Sequence, residues 1–232
     1  MRFSLVIPCY NEAKNLPLLF ARCVKLCEDK DFEVIIVDNG STDDTQDVLA
    51  NLLPSCLQCK SIKVAVNQGY GFGIVSGLNE CSGDIIGWTH ADMQTDPIDV
   101  LGAKNLFLQH GENIFVKGRR YGRPLGDKIF TFGMSVFETI LLRRKLWDIN
   151  AQPTMFSRKF YNEKWKNPPT DFALDLYAYY LAKSNKLKVF RFLVRFGDRA
   201  YGTSHWNINW QAKYKFIKRT IDFSLKLKRK GY

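Results

Sequence analysis

Short apolar runs alternate with amphipathic stretches through the first half of the chain. Ser4-Leu5-Val6-Ile7-Pro8 is a β-branched run closed by proline, the pattern of a buried strand. Over residues 14–28 the positions Leu16, Leu19, Phe20, Cys23, Val24 and Cys27 share one helical face. A second strand is expected over 32–38. A helix follows over 41–53, with Ser41 or Thr42 as cap and acids in its first turn, where they suit the helix dipole. A third strand over 62–66 leads into a glycine-rich stretch that opens a third helix. Strands over 84–88 and 113–118 flank a helix that starts near Ile98. After residue 118 the rhythm changes to a long helix over 128–147, a short strand near 149–156, a helix over 171–184 and a strand over 187–194.

Such alternation predicts an α/β fold, a doubly wound and mostly parallel sheet with right-handed crossovers and helices on both faces. Ligands of these sheets bind beyond the carboxyl ends of the strands. Four expected strand ends carry polar clusters: Pro8-Cys9-Tyr10-Asn11-Glu12, Asp38-Asn39-Gly40-Ser41, Asn67-Gln68-Gly69 and His90-Ala91-Asp92. Sharing one edge, they would line one crevice. Residues 1–207 read as the domain and 208–232 as a C-terminal amphipathic helix. In that helix Trp210, Tyr214, Ile217, Ile221 and Leu225 recur at three- and four-residue steps among eight Lys and Arg.

Composition narrows the function classes. With 34 Lys+Arg against 23 Asp+Glu, the net charge of +11 predicts attraction to polyanions: nucleic acid, anionic lipid or phosphorylated substrates. No nucleic-acid recognition motif accompanies it, so nucleic acid is not an expected partner. Six cysteines sit mostly in apolar segments without a disulfide framework, and Cys56-Leu-Gln-Cys59 has no second Cys-x-x-Cys beside it. Reduced structural thiols and a cytoplasmic location are therefore expected. No apolar stretch reaches the about 20 residues of a spanning helix, so membrane contact is expected to be peripheral.

Each candidate motif has a functional and a plain reading. Asp38 can accept hydrogen bonds from a ribose or base, or simply order a capping turn. The Gly69, Gly71, Gly73 and Gly77 spacing does not follow the first strand as a dinucleotide fingerprint requires, and reads first as a tight turn into a closely packed helix. His90, Asp92 and Gln94 alternate to one side of an extended segment. They can hold a divalent metal, Mg²⁺ or Mn²⁺, through Asp92 and Gln94 oxygens and a His90 nitrogen, or form a polar turn. Lys117, Arg119, Arg120, Arg123 and Lys128 place five cations across twelve positions, suited to phosphate or to solvent.

Together, "SLVIPCYNEAKNL", "IIVDNGSTDDT", "GLNECSGDIIGWTHADMQTDP" and "KGRRYGRP" resemble the successive signatures of family-2 glycosyltransferases with the GT-A fold, a Rossmann-like doubly wound sheet. The order and spacing match over about residues 3–125, and "DINAQPTMFSRKFY" with "RAYGTSHWN" extends the likeness to the dolichyl-phosphate mannosyltransferase-like branch. The resemblance implies inverting transfer from a nucleoside diphosphate sugar, a GDP- or UDP-sugar. Pro8, Tyr10, Glu12 and Asp38 would hold the nucleoside, with Asn67 and Gly69 nearby. Asp92 and Gln94, beside His90, would hold the metal on the diphosphate. Arg120, Lys128 and Thr131 would take the phosphate of a polyprenyl-phosphate acceptor, with Arg199 and Ser204 on the acceptor-side loop. Two positions depart from the pattern: Asn39 replaces the second acid of Asp-Asp-Gly-Ser, and His90 the first acid of Asp-x-Asp.

A phosphate acceptor is already anionic and needs no base, whereas a saccharide hydroxyl needs one. Asp171, four residues before Asp175, is the candidate base, or else an N-terminal cap of its helix. Main catalytic effects would then fall to Asp92 and Arg120. The basic C-terminal helix suits an anionic membrane surface, or packs its apolar stripe on the domain. A non-catalytic sugar-nucleotide-binding subunit with a membrane-protein partner is the remaining alternative.

Overall fold

Period-2 burial builds the sheet in the computed structural model, which describes residues 1–201 and 210–230. In β1 (Phe3–Cys9), Phe3, Leu5, Ile7 and Cys9 enter one core while Val6 enters the other. In β2 (Phe32–Asn39), Val34 and Ile36 face the first core and Ile35 and Val37 the second. Strands buried on both faces read as continuous apolar runs, as these do. β3 (Cys59–Val64), β4 (Ile85–Trp88), β5 (Ile114–Tyr121), β6 (Thr154–Ser157) and β7 (Lys188–Arg195) complete a sheet of order β3-β2-β1-β4-β6-β5-β7. β6 runs antiparallel to both of its neighbours, and every other pairing is parallel.

Helices cover both faces. α1 (Leu16–Leu26), α2 (Thr45–Leu52) and α4 (Val100–His110) pack on one core. On the other lie α3 (Tyr70–Asn79), α6 (Arg158–Lys164) and α7 (Ala173–Ser184). α5 (Leu125–Leu142) and α8 (Trp210–Lys230) pack against each other, and α8 also touches α7. The close approach of α3 to the sheet requires glycine: a Cβ on Gly77 would lie 2.3 Å from Val6 Cγ1 and 2.8 Å from Val37 Cγ2.

Several boundaries differ from the sequence reading. α2 starts at Thr45, four residues later than expected, after a turn in which Asp38 Oδ1 accepts the Ser41 N–H. The long helix is displaced towards the N-terminus and ends at Leu142, where Arg143 turns left-handed (φ 52°). α6 was not anticipated; Ser157 caps it by accepting the Phe160 N–H. The expected strand near 149–156 shrinks to the four residues of β6, since residues 148–153 fold into the site. α8 turns Ser224 and Leu227 inward, leaving Tyr214 and Leu225 exposed. A polar contact sets this face: Ser224 Oγ donates to Glu138 Oε1 (2.8 Å) across the α5–α8 interface.

Glu138 is fully buried and its Oε2 has no partner, so burial pushes its carboxyl up to about 7 against the lowering effect of Ser224. The folded state therefore keeps a proton that the unfolded chain loses near pH 4.5. Stability falls as pH rises from about 4.5 to about 7 and stays lower above. Replacing Glu138→Gln is expected to raise Tm by a few degrees at pH 8 and to leave it nearly unchanged at pH 4.5. Thermal melts at the two pH values check this.

Candidate functional site

The parallel strands deliver their C-terminal ends to one edge, and neighbouring loops are knitted together there. Asn11, left-handed at φ 56°, donates its N–H to Ser41 Oγ (3.0 Å) and accepts the Thr42 N–H on Oδ1 (2.8 Å). The Glu12 N–H donates to Thr45 Oγ1 (3.0 Å), and Pro8 and Tyr10 flank the same turn. Burial raises the Glu12 carboxyl; the Asn15 amide opposes this, and the Asp92 charge adds to it. Asp38 is buried, with Oδ1 bonded to the Ser41 N–H (2.9 Å) and Oδ2 unpartnered. A buried carboxylate oxygen without a donor is costly, so it marks a position where a ligand donor fits.

Asn39 has a specific use. Its Nδ2 donates to the Gly69 carbonyl (3.0 Å), which a carboxylate could not do. Gly69 itself stands at φ 110° and accepts no Cβ, since one would lie 2.5 Å from the Thr170 carbonyl. Asn67 Oδ1 accepts the Gly69 N–H (2.8 Å), so the glycine loop is pinned from both sides. The tight-turn reading of the glycines thus matches the packing.

At the end of β4, His90 stacks on Tyr70 (5.7 Å between centroids) and Tyr70 on Phe172 (4.7 Å). Burial holds the His90 imidazole below its ordinary pKa, with Asp92 and Asp175 opposing. Asp92 Oδ1 accepts the Gln94 N–H (3.1 Å), while Oδ2 pairs with Arg199 at 2.9 Å. Gln94 Nε2 donates to the Gly197 carbonyl (3.3 Å), so its nitrogen rather than its oxygen is engaged. One carboxylate and one amide oxygen fit a hard cation whose shell is completed by phosphates. The guanidinium on Oδ2 shows that this carboxylate already partners positive charge, and a metal bound there would compete with Arg199 for that oxygen.

On the far side of the edge, Arg120 at the end of β5 donates Nε to Asp148 Oδ1 (3.0 Å), and its Nη2 joins the same oxygen. Arg123 Nη1 lies 3.7 Å from that carboxylate, and both guanidiniums cover the Phe196 ring. Despite burial, the Asp148 carboxyl is held below its ordinary value by Arg120, Arg191 and Arg123. Arg120 and Thr131 line one cavity of about 50 Å³, together with Phe130, Met134, Phe172 and Leu176. Lys128 is exposed on α5 and does not line it. Asp171 accepts the Ala173 N–H on Oδ1 (2.9 Å) and lies 3.6 Å from Arg219 through Oδ2, so both oxygens are engaged. Ser204 lies outside the described residues.

Lys117, read from sequence as one of five cations facing phosphate or solvent, is instead fully buried beneath this edge. Lys117 Nζ donates to Thr154 Oγ1 (2.6 Å) and sits 3.7 Å from Asp175 Oδ1, with burial bringing its pKa down to about 8 against Asp175. Gln152 Nε2 donates to Asp175 Oδ1 (2.7 Å) and lies 3.3 Å from Tyr70 Oη. The available signal was a lysine inside the apolar run Ile114-Phe115-Val116-Lys117. Asp148 was missed, though it precedes the loop that carries Gln152 and Thr154.

The strand order and single-edged crevice are those of the GT-A class. Mannosyltransferase PcManGT from Pyrobaculum calidifontis, solved with GDP-Man and Mn²⁺, shares the fold with TM-score 0.67 at 16% identity, covering 97% of this chain and 64% of that one. Glucosyl-3-phosphoglycerate synthase from Mycobacterium tuberculosis, solved with Mn²⁺, UDP and phosphoglyceric acid, gives 0.69 at 20% identity over 99% and 78%. The chain belongs to glycosyl transferase family 2, whose model it matches over residues 4–165. Undecaprenyl-phosphate 4-deoxy-4-formamido-L-arabinose transferases are similar in sequence. The Pseudomonas syringae protein is 37% identical over 101 residues, 42% of this chain and 30% of its own length. The Yersinia enterocolitica protein is 37% identical over 106 residues, 43% and 31%. The chain thus spans about a third of the length of these curated relatives.

Removing the Asp148 carboxylate leaves two largely buried guanidiniums without their shared counter-charge. Asp148→Ala is expected to lose about 3–5 kcal/mol of stability at pH 7. Because the folded carboxyl is depressed, the stabilisation is full at neutral pH and is lost as pH falls below about 4. Denaturant melts at pH 7 and pH 3 should show the variant's deficit shrinking in acid.

Proposed function

We propose that this protein transfers a sugar, with inversion, from a GDP- or UDP-sugar to a polyprenyl-phosphate-type lipid at a membrane surface. One observation carries the reading: Arg120 and Arg123 share a single carboxylate beside an apolar-lined cavity, on the same strand edge as Asp38 and Asp92. Two guanidiniums against one acid leave net positive charge where an anionic acceptor would enter. The names of the sequence relatives, which specify undecaprenyl phosphate, support that acceptor class. The GDP-Man and UDP complexes of the structural neighbours support the donor class.

In this mechanism the nucleoside lies among Pro8, Tyr10, Glu12 and Asp38, with Asn67 and Gly69 bounding it. Asp38 Oδ2 takes a donor from the ribose or base. Asp92, with Gln94 and His90 beside it, would hold Mn²⁺ or Mg²⁺, which supplies charge neutralisation on the diphosphate. Arg120 holds the acceptor phosphate with Thr131; Lys128 and Arg199 add positive charge at the approaches. A phosphate oxygen attacks without losing a proton, so no base is required. The engagement of Asp171 with Ala173 and Arg219 agrees with this and weighs against a hydroxyl acceptor.

α5 supplies the membrane contact. Leu125, Ile129, Phe132, Val136 and Ile140 recur at helical spacing and are 72, 64, 54, 40 and 72% exposed. Lys128, Arg143, Arg144 and Lys145 are exposed around this stripe. Apolar side chains flanked by cations are the chemistry of an interfacial helix on anionic lipid. Among the described residues no helix is long and apolar enough to cross a membrane.

Two experiments test the reading. With Mn²⁺ present, a GDP- or UDP-sugar should raise Tm, and a short polyprenyl phosphate should become glycosylated. Arg120→Ala should lower kcat/KM for the lipid by about 100-fold while donor-induced stabilisation persists. Asp171→Asn should cost less than about threefold; abolished transfer in that variant would move the assignment to a hydroxyl acceptor. In co-sedimentation, vesicles rich in anionic lipid should bind the chain more tightly than neutral ones. The double change Ile129→Glu and Phe132→Glu should reduce that binding at least about tenfold.

A further inference from the structure

Four of the six cysteines gather at the opposite edge of the sheet from the crevice. Cys27 ends α1, Cys56 follows the turn after α2, and Cys59 begins β3. Their three sulfurs all lie within 4.8 Å of one another, and Cys27 Sγ is 3.8 Å from Cys59 Sγ. That is far beyond the about 2.05 Å of a disulfide. It equals the edge of a tetrahedral zinc–thiolate site, where bonds of about 2.3 Å set sulfurs about 3.8 Å apart.

The backbone already has the form that such a site needs. The Cys59 N–H donates to the Cys56 carbonyl (3.0 Å), so Cys56-Leu57-Gln58-Cys59 is a tight turn that brings both thiols to one side. Gln58 Nε2 donates to the Cys27 carbonyl (3.3 Å), and the Gln58 carbonyl accepts the Val34 N–H (2.9 Å). The turn is thus fastened to α1 and to β2. Leu57 at its tip is 96% exposed, giving an ion a short path inward. A cation is also favoured at the C-terminus of α1 by the helix dipole. Cys23, one helical turn before Cys27, completes the spacing Cys-x₃-Cys with Cys-x₂-Cys, which matches zinc ligand pairs. Cys56 Sγ donates to Gln58 Oε1 of its own turn (3.9 Å), whereas Cys9 and Cys81, outside the cluster, each donate to a backbone carbonyl, at 3.7 and 3.4 Å.

We propose that Cys27, Cys56 and Cys59 form a structural site for a thiophilic divalent ion of the zinc class, with the fourth vertex left to Cys23 or water. Binding replaces one proton on each of the three thiols, so three protons leave as one ion enters. The ion would clip the end of α1 to the start of β3, and stability, not sugar transfer, would depend on it.

Cobalt alone is the first probe. Added to the reduced, metal-free chain of residues 1–232, Co²⁺ should produce a thiolate-to-cobalt charge-transfer band that saturates at one equivalent and is displaced by Zn²⁺. Zinc should raise Tm by several degrees, and should do so equally in Asp92→Asn, which separates this site from the crevice. Cys56→Ser and Cys59→Ser should abolish the band; Cys9→Ser and Cys81→Ser should keep it. Absence of the band in the wild-type protein would overturn the proposal, as would its survival in both Cys56→Ser and Cys59→Ser.

Discussion

A parallel sheet satisfies the backbone groups of its strands only until each strand stops. Beyond that point each N–H needs another acceptor, from the protein or from water. In this protein the acceptors are side chains of the loops themselves. Asp38 takes the Ser41 N–H, Asn11 the Thr42 N–H, Asn67 the Gly69 N–H and Asp92 the Gln94 N–H. The residues that line the crevice are therefore first the residues that make the strand ends foldable. Asp38 and Asp92 divide the work between their two oxygens. In each, Oδ1 is fixed by the backbone and sets the rotamer, while Oδ2 is left to a partner from outside the turn.

Charge stoichiometry separates the two buried ionic groups on the far side of the edge. Lys117 and Asp175 are matched one to one, and Thr154 and Gln152 each add a hydrogen bond to the pair. Such a pair carries no surplus charge for a ligand, and it ties β5, β6 and α7 together. Asp148 instead faces Arg120 and Arg123 together, with Arg191 close enough to depress its carboxyl further. One acid cannot neutralise these cations. The surplus charge persists beside the cavity that Arg120 lines, where the proposed acceptor phosphate would sit.

Most of the sheet was legible because a strand buried on both faces leaves a local mark, a continuous apolar run ended by polar residues. The shared crevice followed from parallel polarity alone. What stayed hidden was long-range. The insertion of β6 between β4 and β5 pairs segments about 40 and 70 residues apart, and no local pattern records it. His90 reads in sequence as a replaced acid, yet its surroundings are set by Tyr70 at the start of α3 and, through it, Phe172 just before α7. Asn39 reads as a loss from Asp-Asp-Gly-Ser, but its amide makes a bond to Gly69 that an acid could not. Both departures make sense only once their distant partners are placed.

α5 joins the two halves of the proposed reaction. Its inner side contributes Phe130, Thr131, Met134 and Ser135 to the cavity beside Arg120, while its outer stripe of Ile129, Phe132 and Val136 is open. Cavity-lining and exposed positions are thus neighbours on a single helix. A helix with its side chains is only about 10 Å across. On the proposed reading, a lipid whose chain stays at the outer stripe would need its phosphate to move no further than that to reach Arg120. α8 secures this geometry from behind, where Ser224 bonds Glu138 and Leu227 is buried. An apolar stripe left outside would ordinarily be a solubility burden on so small a domain. Here it lies one helix thickness from the only surplus of buried positive charge among the described residues around the cavity, and that adjacency gives the exposed stripe a use.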